Sequence, residues 1–114
     1  MPRLFRIAFW AAALFAFVMA VLPQPPSFDV PDKVEHMAAF FVITVLGCIA
    51  YPKVSRVKLA LALVAFGGVI ELVQEIPMFH RDSELSDWLA DILAVVIALA
   101  SVWLVKRLRT AGAE

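Results

Sequence analysis

The sequence contains a single cysteine and carries no net charge at neutral pH. Cys48 can therefore form no internal disulfide, and its place inside an apolar run is typical of a small buried hydrophobic residue. The zero net charge, and the lack of a basic stripe with interleaved aromatic residues, give no basis for nucleic-acid binding. We accordingly predict no nucleic-acid partner.

Recognisable metal and nucleophile motifs are also missing. The sequence has no His-Glu-x-x-His pattern, which holds zinc on one face of a helix. No nucleophile motif surrounds Ser83, Ser86, His36 or His80. A histidine with several carboxylates can still bind a divalent ion, but the spacing here is not diagnostic of one. The prediction is no metal and no cofactor.

Apolar residues are present in excess. They make up 63% of the 114 residues, with a mean hydropathy of +0.90, whereas soluble domains are about 45–50% apolar. A soluble protein of this size could not bury so much apolar surface, and the length suits one domain rather than two. We predict that lipid is the solvent for most of the chain.

Four apolar segments have the roughly 20-residue length of a membrane-spanning helix. They cover about residues 4–22, 33–51, 57–76 and 85–105, and the first three stop at prolines. The first segment would also suit a cleaved signal peptide, but it is long for one and three further spans follow. The predicted fold is an all-α membrane protein, a bundle of four transmembrane helices in a single domain of residues 1–114.

Basic residues predict the orientation of the bundle. Eight of the ten lysines and arginines flank one side of the four spans, and only Lys33 and Arg81 fall on the other. Since cytoplasmic loops are rich in Lys and Arg, both termini are predicted to be cytoplasmic. No series of ionisable residues crosses the inner halves of the spans, which argues against a proton or ion pathway.

Acidic residues show the opposite distribution. Nine of the ten carboxylates fall on or near the outer side, and only Glu114 is inside. Acidic residues contribute little to orientation, so another cause is needed. The stretch DKVEHMAAFF (32–41) is an example, because four ionisable residues open a segment that is otherwise apolar.

Projection at 3.6 residues per turn places these polar residues on faces that continue into small residues. The faces are Asp32 and His36 in the second span, Gly67, Glu71 and Gln74 in the third, and Asp87, Asp91, Ala94 and Ala98 in the fourth. The polar groups are predicted to point into the bundle, with His36 aimed at Glu71 and Asp91. A charge at the bilayer centre costs at least about 2.5–3.5 kcal/mol, so these two carboxylates need partners or protonation.

Structural roles compete with functional ones at several positions. Asp32 and Glu35 have capping-box spacing, Ser83 or Ser86 suits a cap of the fourth helix, and His36 can hydrogen-bond to Asp32 one turn away. The favoured interpretation is a solvated loop charge for Glu75, Asp82 and Glu84. For Trp10, Trp88 and Trp103 it is packing or membrane anchoring. Function is favoured for Glu71, Gln74, Arg81, Asp87 and Asp91.

Three motifs together resemble the VanZ-like family of small bacterial membrane proteins. They are DKVEH (32–36), ELVQ (71–74), and Arg81 followed by DWLAD (87–91), and the resemblance covers roughly residues 30–105. The family usually has Asn at the place of Asp91 and commonly Gly at that of Ala94. The matching positions form the predicted binding or polar cluster: Asp32, Lys33, His36, Glu71, Gln74, Arg81, Asp87 and Asp91.

The resemblance implies a multi-pass protein of the bacterial inner membrane with a role in the cell envelope. The family's namesake is associated with reduced susceptibility to the glycopeptide teicoplanin. One hypothesis is a binding protein whose partners are membrane lipids, a lipid-linked wall precursor or an envelope protein. The alternative is a membrane enzyme in which Glu71 or Asp87 acts as general base and Arg81 holds an anionic head group. The sequence does not decide whether the protein is an enzyme.

Overall fold

The computed structural model describes residues 2–22, 32–76 and 85–113. These residues form four helices and, within those ranges, no strand: α1 Pro2–Val21, α2 Asp32–Ala50, α3 Arg56–Gln74 and α4 Leu85–Ala113. All four helices are long and apolar enough to cross a membrane. The predicted all-α fold of four spanning helices is confirmed, and it indicates a multi-pass membrane protein.

Local sequence explains where α2 ends and α3 begins. Pro52 follows α2 closely, and a proline disfavours the helical conformation of the residue before it. Ser55 then caps α3, because its side chain accepts a hydrogen bond of 3.1 Å from the backbone N–H of Lys58. Such a cap satisfies one of the N–H groups that a helix start leaves unpaired. The connection between the two helices is therefore short, residues 51–55.

The fourth helix continues about two turns beyond the apolar segment predicted to end near residue 105. Lys and Arg are good helix formers, so Lys106, Arg107 and Arg109 can continue the helix. The guanidinium of Arg107 lies 5.3 Å from the ring centre of Trp103, which adds a cation–π contact. The basic residues after the apolar segment thus extend α4 rather than end it.

Consecutive helices run antiparallel in a bundle that measures 55 × 27 × 27 Å. The core lies between them and includes Ile43, Ile70, Val95 and Ala98, while many large apolar side chains point outward. Outward apolar side chains suit a bundle surrounded by lipid. Cys48 is buried in this core, as the sequence predicts.

The two ends of the bundle differ in charge. At one end of the bundle, α2 and α4 begin and α1 and α3 end. The side-chain carboxylates in the described part of the chain lie at this end, which we call the acidic end. At the other end lie the described basic residues except Lys33. The placement of the termini relative to the cytoplasm stays a prediction.

Candidate functional site

Polar side chains from three helices meet at the acidic end of the bundle. Lys33 comes from the first turn of α2, Glu71 and Gln74 from the last turns of α3, and Asp87 and Asp91 from the first turns of α4. We call these five residues the polar site. These residues lie near helix ends because each helix begins or ends close to the limit of its apolar segment.

An ion pair closes the outermost part of the polar site. The Nζ of Lys33 lies 3.6 Å from Oδ1 of Asp87 and donates a hydrogen bond of 3.1 Å to the Oγ of Ser86. The Lys33 side chain is 44% exposed and that of Asp87 17%. Exposed ion pairs stabilise a protein by about 0–1 kcal/mol. This contact therefore serves mainly to join the starts of α2 and α4.

Asp91 lies one turn deeper and is almost fully enclosed. Its residue exposure is 2%, and both carboxylate oxygens lack a hydrogen-bond partner among the described residues. The charges that act on it come from Glu71 and Asp87, which are also acidic. A buried carboxylate without a partner is costly. Asp91 is thus an acceptor that the described residues leave unsatisfied.

A glycine on α3 makes room for this carboxylate. A Cβ atom at Gly67 would lie 3.3 Å from Oδ2 of Asp91, 3.3 Å from Cδ1 of Trp88 and 3.5 Å from Cζ of Phe40. Trp88 is fixed in turn, because its Nε1 donates a hydrogen bond of 3.0 Å to the carbonyl of Val64. The close approach of α3 and α4 therefore depends on the absence of a side chain at Gly67.

Gln74 connects α3 to the end of α1. It is 2% exposed, and its Nε2 donates a hydrogen bond of 2.9 Å to the carbonyl oxygen of Ala20. Ala20 is in the last turn of α1, where carbonyl groups have no partner within the helix. Gln74 therefore acts as a cap supplied by a neighbouring helix.

Glu71 is buried in the bundle and still borders an opening. Its exposure is 8%, but it lines a groove of about 450 Å³ between α3 and α4, together with Gly68, Leu72, Glu75 and Trp88. Leu72 is mostly exposed on the outward surface of α3. The groove thus leads from the lipid-facing surface of the bundle to the Glu71 carboxylate.

His36 lies beside a cavity between three helices. It lines a cavity with Phe15 and Met19 of α1 and Ile70 of α3, and it gives no hydrogen bond to Asp91, whose oxygens have no such partner. The α2 side chain that reaches Gly67, beside Asp91, is Phe40 from one turn deeper. His36 was predicted to aim at Glu71 and Asp91; the structure shows no hydrogen bond from it to Asp91, and its approach to Glu71 stays a prediction.

Two residues of the predicted cluster are not assigned a geometry. Arg81 lies outside the described residues, and so does the side chain of Asp32, whose backbone forms the first residue of α2. The remaining members are those of the polar site and His36. Helical projection places Glu71, Gln74 and Asp91 inside the bundle, and the structure has all three buried.

Sequence reasoning missed three groups that take part in hydrogen bonds. The carbonyl of Ala20 carries no side-chain signal, and Ser86 was assigned to a helix cap rather than to Lys33. Thr44 is fully buried and donates a hydrogen bond of 2.6 Å to the carbonyl of Phe40, which is a local bond within α2. A hydroxyl four residues after an apolar residue in a span is the only sequence signal for it.

The polar site offers mainly hydrogen-bond acceptors to a ligand. In the described part of the chain, no three His, Cys, Asp or Glu residues are grouped so as to hold a metal. Three carboxylates face one lysine, so the site has a negative excess and more acceptors than donors. Its chemistry suits a ligand that brings ammonium, amide or hydroxyl groups.

Comparisons of the chain with protein-family models, with curated proteins and with solved structures found no match.

Proposed function

We propose that this chain is a VanZ-like integral membrane protein of the bacterial inner membrane. In this proposal, the polar site faces the outer leaflet and binds an envelope lipid or a lipid-linked wall precursor. The motifs that resemble the family supply the cell-envelope role. The proposed role includes a contribution to glycopeptide (teicoplanin) susceptibility.

The unsatisfied carboxylate of Asp91 is the observation that carries the proposal. An ionisable residue inside a spanning segment is costly and is typically retained for function. A purely structural network would have its buried acceptors paired, whereas both oxygens of Asp91 lack hydrogen-bond partners among the described residues. A ligand that donates hydrogen bonds would satisfy them.

The groove between α3 and α4 supports an amphiphilic ligand. Its floor holds Glu71, and its rim holds the exposed apolar side chains of Leu72 and Leu85. An acyl or polyprenyl chain can lie along that apolar rim while a polar head group reaches the acidic end. A water-soluble ligand would gain nothing from this rim.

A deletion strain tests the envelope role. Cells that lack the chain are expected to change their sensitivity to teicoplanin and to agents that stress the envelope, and the wild-type chain is expected to restore it. Minimum inhibitory concentrations on matched media give the readout. Unchanged sensitivity of the deletion strain to all of these agents would contradict the proposal.

A membrane enzyme is the second candidate, favoured by the position of Glu71 in the groove. A carboxylate that is mostly buried but reachable by a ligand has the setting of a general base. Asp87, which is paired with Lys33, is the other candidate base, but it does not line the groove.

Replacement of Glu71 by glutamine separates the two candidates. For a binding protein, Glu71→Gln weakens retention of the lipid ligand by the purified chain. For an enzyme, the variant keeps the ligand and loses its conversion, because the amide is isosteric but not basic. Lipid extracts incubated with the chain and analysed by mass spectrometry distinguish bound from converted lipid.

A further inference from the structure

A second cavity lies between α1, α2 and α3 at the acidic end, on a different side from the groove between α3 and α4. It measures about 280 Å³, close to the lower limit of about 300–1,000 Å³ for small-molecule pockets. Its walls come from α1, α2 and α3, and they include Phe15, Met19, Ala39 and Ile70. None of the five residues of the polar site lines it. This cavity therefore needs its own explanation.

The cavity is apolar except at one end. Its polar wall residues, Glu35 and His36, are both in the first turns of α2 at the acidic end, whereas Ala39 and Phe40 lie one turn deeper. The polar groups thus lie toward the membrane surface and the apolar walls toward the membrane interior. A membrane lipid has the same order of polar and apolar parts along the membrane normal.

The cavity is reachable from the lipid phase. Phe15 and Ala38 line it and are exposed on the outside of the bundle. Because α1 and α2 both have the length and hydropathy of membrane spans, the molecules next to these side chains are lipids. An acyl chain can therefore enter sideways without crossing the core of the bundle.

We propose that this cavity holds one acyl chain of an aminophospholipid, with the ammonium of its head group against Glu35. The Glu35 carboxylate attracts a primary ammonium and repels a lipid of net negative charge. A ring N–H of His36 beside it suits a phosphate oxygen of the same head group. The inference does not rest on the function proposed for the polar site.

Lipid retention by the full-length chain tests this inference. The purified chain in detergent is titrated with dioleoyl phosphatidylethanolamine or dioleoyl phosphatidylglycerol, and bound lipid is counted by native mass spectrometry. The wild type is expected to prefer the ethanolamine lipid by about three- to tenfold, the effect of one charge-assisted hydrogen bond near a surface. Equal retention of the two lipids would overturn the inference.

Two variants locate the lipid in this cavity. Glu35→Gln is expected to remove the preference and keep the binding of an acyl chain, whereas Ala38→Leu narrows the cavity from its exposed edge and weakens both lipids. Ala62→Leu, at an exposed position of α3 outside the cavity, is the matched control for added bulk and leaves both affinities unchanged. Helical circular dichroism and thermal unfolding verify that each variant is folded.

A variant of the polar site keeps this inference distinct from the proposed function. In a Glu71→Gln background, in which any lipid binding at the polar site is weakened, the part of the preference for the ethanolamine lipid that depends on Glu35 is expected to remain. If Glu71→Gln removes the preference and Glu35→Gln does not, the ammonium binds at the polar site and the inference fails. If Ala38→Leu retains lipid as the wild type does, the acyl chain is elsewhere and the inference fails as well.

Discussion

Asp87 and Asp91 are one helical turn apart on α4 and have opposite surroundings. Asp87 has Lys33 at 3.6 Å, whereas Asp91 is buried, has no hydrogen-bond partner among the described residues and lies near the acidic side chains of Glu71 and Asp87. The first carboxylate contributes to the folded state, and the second is a cost that the rest of the bundle offsets. The same residue type therefore has opposite effects on stability at these two positions.

Replacing each aspartate by asparagine tests this difference. Asp91→Asn is expected to raise the free energy of unfolding by about 1 kcal/mol or more, because it replaces a buried carboxylate that has no hydrogen-bond partner among the described residues by an amide, whose N–H groups can donate to nearby acceptors. Urea unfolding in detergent, followed by Trp fluorescence, measures the change.

Asp87→Asn is the matched control on the same face of α4. It removes the charge partner of Lys33, so a loss of up to about 1 kcal/mol is expected. If Asp91→Asn destabilises the bundle as much as Asp87→Asn or more, the description of Asp91 as an unsatisfied carboxylate is contradicted.

Gln74 gives a second prediction at the scale of one residue. Gln74→Leu keeps a similar volume but removes the donor to the Ala20 carbonyl, so a loss of about 0.5–2 kcal/mol in unfolding free energy is expected. Glu75→Gln, next to it and exposed, should be close to neutral. A Gln74→Leu variant as stable as the wild type would show that this bond contributes nothing.

Residue periodicity predicts part of the site and fails at identifiable points. Burial of Glu71, Gln74 and Asp91 follows from their position on stripes that continue into small residues. The direction of His36 does not follow, because α2 packs against both α1 and α4 and the sequence does not say which neighbour a given residue meets. The acceptor for Gln74 is a backbone carbonyl, which no side-chain pattern can reveal.

At the scale of the helix, the contact between α3 and α4 depends on one glycine. Gly67 admits Trp88 and the Asp91 carboxylate, while the Trp88 indole also bonds to the Val64 carbonyl. A larger residue at Gly67 would push α4 away from α3. The neighbouring Gly68 has more room, since its nearest contact for an added Cβ is 3.5 Å.

These two glycines predict opposite outcomes. Gly67→Leu is expected to lower the free energy of unfolding by about 1–3 kcal/mol through overpacking, and Gly68→Ala to raise it by about 0.5–1 kcal/mol through helix propensity. Unfolding in detergent by urea measures both. Comparable effects of the two substitutions would contradict the close contact at Gly67.

Helix positions are the part of the fold most accessible from sequence. The bounds of α1, α2 and α3 differ from the predicted spans by one or two residues, because prolines and an apolar composition mark where each can begin and stop. The extension of α4 to Ala113 was not predicted, since a hydropathy pattern reports where lipid ends and not where the helix ends. The pairing of helices at the acidic end likewise depends on tertiary contacts.

At the scale of the whole molecule, charge is divided between the two ends of the bundle. The excess of Lys and Arg at one end predicts that this end is cytoplasmic. In a Cys48→Ala background, Ser55→Cys between α2 and α3 and Glu75→Cys after α3 place one thiol at each end. A membrane-impermeant maleimide added to intact spheroplasts should label Glu75→Cys and not Ser55→Cys, and the reverse pattern would refute the orientation.

The central claim is that the polar site acts on an envelope ligand and does not merely hold the bundle together. Sensitivity to teicoplanin and envelope stress, in deletion cells that express Glu71→Gln at wild-type abundance, tests it most directly. Glu71→Gln is expected to show the sensitivity of the deletion strain. Glu75→Gln, which changes an exposed carboxylate of the same groove, is expected to show wild-type sensitivity. Full restoration by Glu71→Gln at equal abundance would contradict the claim.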